Sequence, residues 1–188
     1  MTNNMKAEFK LISPEADILN KPLPEFKDEI LPEGFTRTKI AEDLFVAMKQ
    51  FGGIGLSANQ VGLPYRMFVT EGDPGFACFN PRITAHAGDE VLLEEGCLSY
   101  PGLYIKKKRP QIIRVRFFSP TGQPVVKRFS GMTSRIFQHE MEHMDGENYL
   151  EGVNNLVLQR AKRKQEILLR KVRRQVEGRS KHGNKRRR

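Results

Sequence analysis

Two cysteines, Cys78 and Cys97, among 188 residues are too few for a scaffold held by disulfides and fit a reducing compartment. No apolar run approaches the roughly 18–20 residues that cross a bilayer, which excludes a membrane-spanning helix. The opening stretch MTNNMKAEFKLISPEADILN is neither a charged-then-apolar secretory signal nor an Arg- and Ser-rich transit peptide. The expected setting is therefore cytoplasmic, with no membrane partner. Internal repeats are absent as well, which argues against a solenoid.

Acidic residues are scarce in one place only. Residues 157–188 carry 14 Lys and Arg against Glu166 and Glu177, whereas residues 1–156 carry 18 basic and 20 acidic residues. The body is close to neutral, and the carboxy-terminal part supplies the whole excess behind the net charge of +10. A solvated helix that keeps a protein soluble can look like this, but so complete an asymmetry points to a polyanionic partner.

What is present divides the chain into segments. Pro14, Pro22, Pro24 and Pro32 argue against long regular elements in residues 1–34. In TKIAEDLFVAMKQFGG, Ile40, Leu44, Ala47, Met48 and Phe51 recur at helical steps, and Gly52 and Gly53 supply the stop. From Tyr65 to Phe129 the runs YRMFVT, FACFN, DEVLLEE, IIRVRFF and PVVKRF are punctuated by Gly and Pro, the pattern of antiparallel strands. A second helix is expected from Gly131, carrying Ile136, His139, Glu140 and His143, and ending at Gly146. The last periodic segment sets Leu158, Ala161, Leu168, Val172 and Val176 on one stripe, an amphipathic helix whose apolar side can dock on the body. RSKHGNKRRR after Gly178 has no apolar residue and is expected to be disordered in isolation.

The strongest chemical signal is His139-Glu140-Met141-Glu142-His143. Residues four apart on a helix share a face, so both imidazoles can reach one metal ion. Glu140 stands beside the first histidine, where a general base for metal-assisted hydrolysis is needed. A surface helix with two ordinary histidines would read the same, and two ligands leave the set incomplete. His86 and His182 lie in contexts without a partner pattern. Cys97, in EGCLS, has an adjacent glycine that permits close approach, while Cys78, in FACFN, reads as a buried strand residue. Composition puts Cys97 only slightly ahead. GIGLSANQ, Gly53 to Gln60, follows a helix and lacks the lysine of a phosphate loop. Its glycines are better suited to a substrate backbone lying against the chain, with Gln60 as a neutral donor.

GIGLSANQ, EGCLS and QHEMEH, in this order and at these separations, resemble the three signature motifs of the peptide deformylases, bacterial or bacteriophage type. The likeness runs from about Ile18 to Leu156. It implies an α+β fold, with antiparallel strands packed around a central metal-binding helix, followed by a basic C-terminal helix. The expected organisation is a catalytic domain over 1–156 and a basic amphipathic C-terminal helix with a disordered tail over 157–188. The resemblance implies Cys97, His139 and His143 as ligands of one divalent ion, typically ferrous iron in this family, with zinc, nickel or cobalt as substitutes. It implies Glu140 as general base, and the Gln60 amide and Leu98 N–H as stabilisers of the oxyanion. Ile54, Met132 and Ile136 would line the pocket for a methionine side chain. Main-chain groups near Ile54, Gly55 and Gly96 would pair with the peptide as an added strand. Glu95 and Arg109 match a supporting ion pair. The implied reaction removes the N-formyl group from the initiator methionine of nascent polypeptides and releases formate. The implied partners are N-formylmethionyl peptides and, through the tail, the ribosome or its RNA.

Four residues depart from the common pattern: Ser57, Tyr104, Arg135 and Glu142. Ser57 adds a hydroxyl that needs a partner, and Arg135 stands where the pocket is often apolar. Ser57, Tyr104 and Glu142 sustain one alternative, a ribosome- or RNA-binding protein with an inactive deformylase-like body. A peptidase built on the same two-histidine helix is disfavoured by the Cys97 motif.

Overall fold

The computed structural model describes residues 9–72 and 74–185, with side chains described as far as residue 175. The fold is α+β. Helix α1 (Arg37–Gln50) precedes strands β1 (Gly55–Ser57), β2 (Met67–Thr70), β3 (Phe76–Gly96), β4 (Tyr104–Phe118) and β5 (Pro124–Ser130), which are followed by α2 (Gly131–Asp145) and α3 (Asn155–Lys185). The strands form one sheet in the order of the chain, and every neighbouring pair is antiparallel.

Local chemistry sets the boundaries. Thr36 caps α1 by accepting from the Lys39 N–H at 3.1 Å, which satisfies an otherwise unpaired helix-end donor. Gly146 ends α2 in the left-handed region, at φ 73°. A Cβ there would lie 2.4 Å from the carbonyl carbon of Lys21, so only glycine fits. In residues 9–34 the only helices described are two single 3-10 turns, Asp17–Leu19 and Asp28–Ile30, as the prolines require.

The strand expectation needs one correction. FACFN and DEVLLEE are not separate strands; both belong to the 21-residue β3. Its ladder with β4 shifts register three times, between Phe79 and Arg82, Ile83 and Ala85, and Ala87 and Glu90. Bulges absorb Pro81 and Gly88 without ending the pairing, so residues that punctuate a sequence need not break a strand.

Strand β2 is buried along its whole length because a helix covers each face. On one side Met67, Val69, Ala77 and Phe79 meet Ile40, Leu44 and Met48 of α1. On the other, Phe68, Cys78, Ile113, Val115 and Phe117 meet Phe137, Met141 and Met144 of α2. A smaller cluster of Cys97, Leu103, Ile105, Tyr149 and Ala161 attaches α3 to the turn between β3 and β4. The expected stripe on α3 docks only in part: Ala161 is buried, while Leu168 and Val172 stay half exposed. The Val176 side chain lies outside the described residues. The backbone of α3 is helical past Gly178 to Lys185; residues 186–188 lie outside the described residues.

Candidate metal centre

Helix α2 delivers its two histidines by its period. His139 and His143 project from one face, with ring centroids 5.3 Å apart. Cys97 comes from the opposite direction as the first residue after β3, in a turn closed by the Tyr100 N–H donating to its carbonyl at 2.9 Å. Its Sγ lies 3.2 Å from His143 Nε2, and the candidate ligand atoms of Cys97, His139 and His143 all lie within 4.8 Å of one another. All three residues are buried. A thiolate with two imidazoles suits several first-row divalent ions.

The surroundings fit a cation. His139 Nδ1 contacts Glu95 Oε2 at 3.2 Å, which leaves its other ring nitrogen for the cluster. Glu95 accepts two hydrogen bonds from Arg109, at 2.6 and 2.8 Å, and a third from Arg135. The Tyr149 hydroxyl donates to the Glu95 backbone carbonyl. Burial by itself would raise the Glu95 carboxyl, but Arg109 and His139 overcome it and hold the group well below the usual carboxylate range. Burial likewise opposes charge on His139, yet its contacts with Cys97 and Glu95 raise its pKa. That of His143 is lowered by burial and then by His139. The cluster thus favours one positive charge and discourages a second.

Glu140 is 3% exposed, and its Oε2 has no hydrogen-bond partner among the described residues. Burial pushes its pKa up to about 7, against the pull of His139. A Cβ on Gly55 would come within 2.4 Å of Glu140 Oε1 and 2.8 Å of Ile136 Cγ2, so this glycine makes room for the carboxyl. A buried carboxyl with one free oxygen, set beside a Cys/His₂ cluster, is poised to exchange a proton with a small molecule there.

Gln60 is fixed by its neighbours. Its Oε1 accepts from the Ser57 N–H at 3.0 Å and from the Ser57 hydroxyl at 3.2 Å, which is the partner that the Ser57 hydroxyl needs. Its Nε2 donates to Ser99 Oγ at 3.0 Å and points to Cys97 Sγ at 3.6 Å.

These groups open onto a cleft of about 650 Å³ whose wall includes Gln60, Cys97, Leu98, His139 and Glu140. Ile54, Gly55, Gly96, Met132 and Ile136 line it too, so every sequence-predicted site residue except His143 borders the cleft. Ile54 and Met132 are half exposed at its mouth, and Ile136 is buried. Among the described residues β1 pairs only with β2 and forms the sheet edge. Tyr104 packs beside Gly96. Glu142 accepts from Arg109 and Lys107, and the Arg135 guanidinium binds Glu95 and the carbonyls of Val91 and Lys107. His86, exposed on β3, takes no part; the His182 side chain lies outside the described residues. Sequence reasoning missed Ser99, Lys107 and Tyr149. Ser99 stood inside EGCLS and was detectable; Lys107 and Tyr149 carried no local signal.

The profile of the polypeptide deformylase family matches residues 14–159. The chain belongs to this family. It is similar to the peptide deformylase of Rhodopirellula baltica, 40% identical over a match spanning 57% of this chain and 56% of that one. The peptide deformylase of Synechocystis is 34% identical, over 62% of this chain and 66% of the relative. The chain thus spans between one half and two thirds of the length of these relatives. Among solved structures, a peptide deformylase from Synechococcus elongatus in complex with actinonin superposes with a TM-score of 0.75 and 32% identity. That match covers 86% of this chain and 88% of the other. The deformylase match contains all three motifs and stops in the first turns of α3.

Proposed function

We propose that this chain is a metal-dependent amide hydrolase that removes the N-formyl group from the initiator methionine of nascent polypeptides and releases formate. The observation that carries this reading is the buried carboxyl of Glu140, its Oε2 without a hydrogen-bond partner among the described residues, beside Cys97, His139 and His143 in a family of deformylases. Cys97, His139 and His143 would hold one divalent ion, with ferrous iron as the native choice and zinc, nickel or cobalt as substitutes. Such an ion, when bound, supplies Lewis-acid polarisation of the formyl carbonyl and makes water more acidic.

The protein's own groups do the rest. Glu140, buried beside the ligand cluster, takes a proton from the attacking water and returns one to the leaving amine. The Leu98 N–H makes no hydrogen bond among the described residues and would donate to the oxyanion. Gln60 would donate beside it, exchanging its long contact with Cys97 Sγ for the developing charge. Ile54, Met132 and Ile136 would take the methionine side chain. Gly55 and Gly96, without side chains to intrude, would let the peptide add to the edge strand.

We place catalysis in residues 1–156 and assign 157–188 to docking in the cytoplasm at the ribosome, by exchange of counterions with its RNA. Deleting residues 178–188 is then expected to flatten the salt dependence of ribosome binding and to leave turnover of a short peptide unchanged. No observation favours an inert body.

The decisive experiment measures formate release from a formyl-Met tripeptide by anaerobically purified, iron-loaded protein, beside Glu140→Ala. Release abolished by the substitution supports the reaction and the base together. No release from protein with its metal bound rejects the reading.

A further inference from the structure

The body of the chain contains a second concentration of positive charge, distinct from the tail. Residues 76–88 and 110–130 hold Arg82, Arg114, Arg116, Lys127 and Arg128 and not one Asp or Glu, although residues 1–156 as a whole carry more acids than bases. The sheet gathers four of these on one face. Arg82 of β3 lies directly opposite Arg116 of β4, and Arg114 of β4 lies directly opposite Arg128 of β5. Arg114 and Arg116, two apart, share a side of their strand.

That side faces away from α2. Ile113, Val115 and Phe117, which alternate with these arginines, pack against Phe137 and Met141, as do the partly buried Ile83 and Phe129. The opposite face is covered by α1 over β2 and the start of β3, through Met67, Val69, Ala77 and Phe79. Over β4 and β5 no helix among the described residues covers it. Arg114, Arg116 and Arg128 are exposed there and have no carboxylate within 4.0 Å among the described residues. Only Arg82 has an acidic partner, Glu25. Phe118 and Val126, 41% and 61% exposed, stand among them.

Like charges directly across an antiparallel ladder destabilise a sheet. Two such pairs side by side, with no acid on the three strand segments to offset them, are not required by the fold. A partner that spaces negative charge along an extended path would relieve them, and an exposed aromatic within the patch offers a stacking surface. We propose that this sheet face, built on Arg82, Arg114, Arg116 and Arg128, binds the phosphate backbone of RNA. It is a contact separate from the basic tail, so the two together would hold one RNA with more than the affinity of either. The surface does not depend on the hydrolytic reading, since no residue of it lines the cleft.

The test uses the full chain and a fluorescein-labelled RNA hairpin, with anisotropy followed as potassium chloride is raised. The compared variants are a triple Arg114→Gln, Arg116→Gln, Arg128→Gln protein, the same three positions changed to Lys, and a control with Lys10, Lys21 and Lys27 changed to Gln. The proposal predicts that the slope of log affinity against log salt falls by about 2–3 in the arginine-to-glutamine protein alone. The lysine protein keeps its slope, and formate release and melting temperature are not lowered in any variant. An unchanged slope, or an equal fall in the control, overturns the proposal. So does loss of binding to phosphatidylserine vesicles with RNA binding intact, which would make the face a lipid contact. Loss of formate release in the unsubstituted protein would reject the deformylase reading and leave this one standing.

Discussion

Gly55 and Glu140 show how closely the site depends on individual atoms. A methyl group on Gly55 would meet Glu140 Oε1 and Ile136 Cγ2 inside contact distance, and both belong to packed elements with little room to move. Gly55→Ala is therefore expected to lower kcat by about 10–100-fold, part of what a general base contributes, with metal content unchanged in the same preparation. Arg135 is a different case. Its guanidinium crosses from α2 to Glu95 and to two backbone carbonyls of β3 and β4, so only its stem is left to shape the cleft wall. Glu95 retains Arg109 when Arg135 is removed. Arg135→Leu should then cost about 1.5–3 kcal/mol in urea unfolding, the range for hydrogen bonds to charged groups, and still retain bound metal. Loss of the metal in that variant would show that Arg109 alone cannot orient Glu95 toward His139.

At the scale of elements, the site is a meeting of one helix and one hairpin turn. Helix α2 carries His139, Glu140 and His143, and the turn after β3 carries Cys97. Helix α3 enters this arrangement from behind: Ala161 is buried with Cys97, Leu103, Ile105 and Tyr149, and Gln165 donates to the Pro101 carbonyl at 2.8 Å. The basic appendage therefore braces the turn that holds a candidate ligand. Ala161→Glu, which places a charge in that cluster, is expected to weaken metal retention on dialysis by about 10-fold, as loss of outer support does elsewhere. Metal analysis before and after dialysis reads this directly, and full retention would mean that the turn holds its shape without α3.

For the molecule as a whole, the three candidate ligands tie the turn after β3 to α2 only in the folded state. An ion there stabilises the native form by mass action, about 2.7 kcal/mol when its free concentration is about 100 times its dissociation constant. Chelation at that loading should lower the melting temperature by about 5–10 °C for a chain of this size. A chelator that leaves the melting curve in place would show that the ion binds weakly or elsewhere.

The helices α1 and α2, with their glycine ends, were legible because capping, period and chain reversal act within a few residues. The histidine pair was legible for the same reason, since i and i+4 share a face whatever surrounds them. Residue chemistry could not choose Cys97 firmly over other candidates; resemblance to a family did that, and folding brings its Sγ to 3.2 Å from His143. The continuity of β3 was hidden because Pro81 and Gly88 are tolerated through bulges that depend on a partner strand. The Tyr149 bond to Glu95 was hidden because 54 residues separate the two. The arginine face was hidden because cross-strand register, absent from any local pattern, sets Arg82 against Arg116 and Arg114 against Arg128. By itself, then, the sequence determined the helices, the two-histidine motif, the charge asymmetry and the family, all expressed by residues close in the chain or by recurring motifs. Only tertiary structure decided which distant groups meet, because pairing register and packing between elements arise from contacts that no short segment contains.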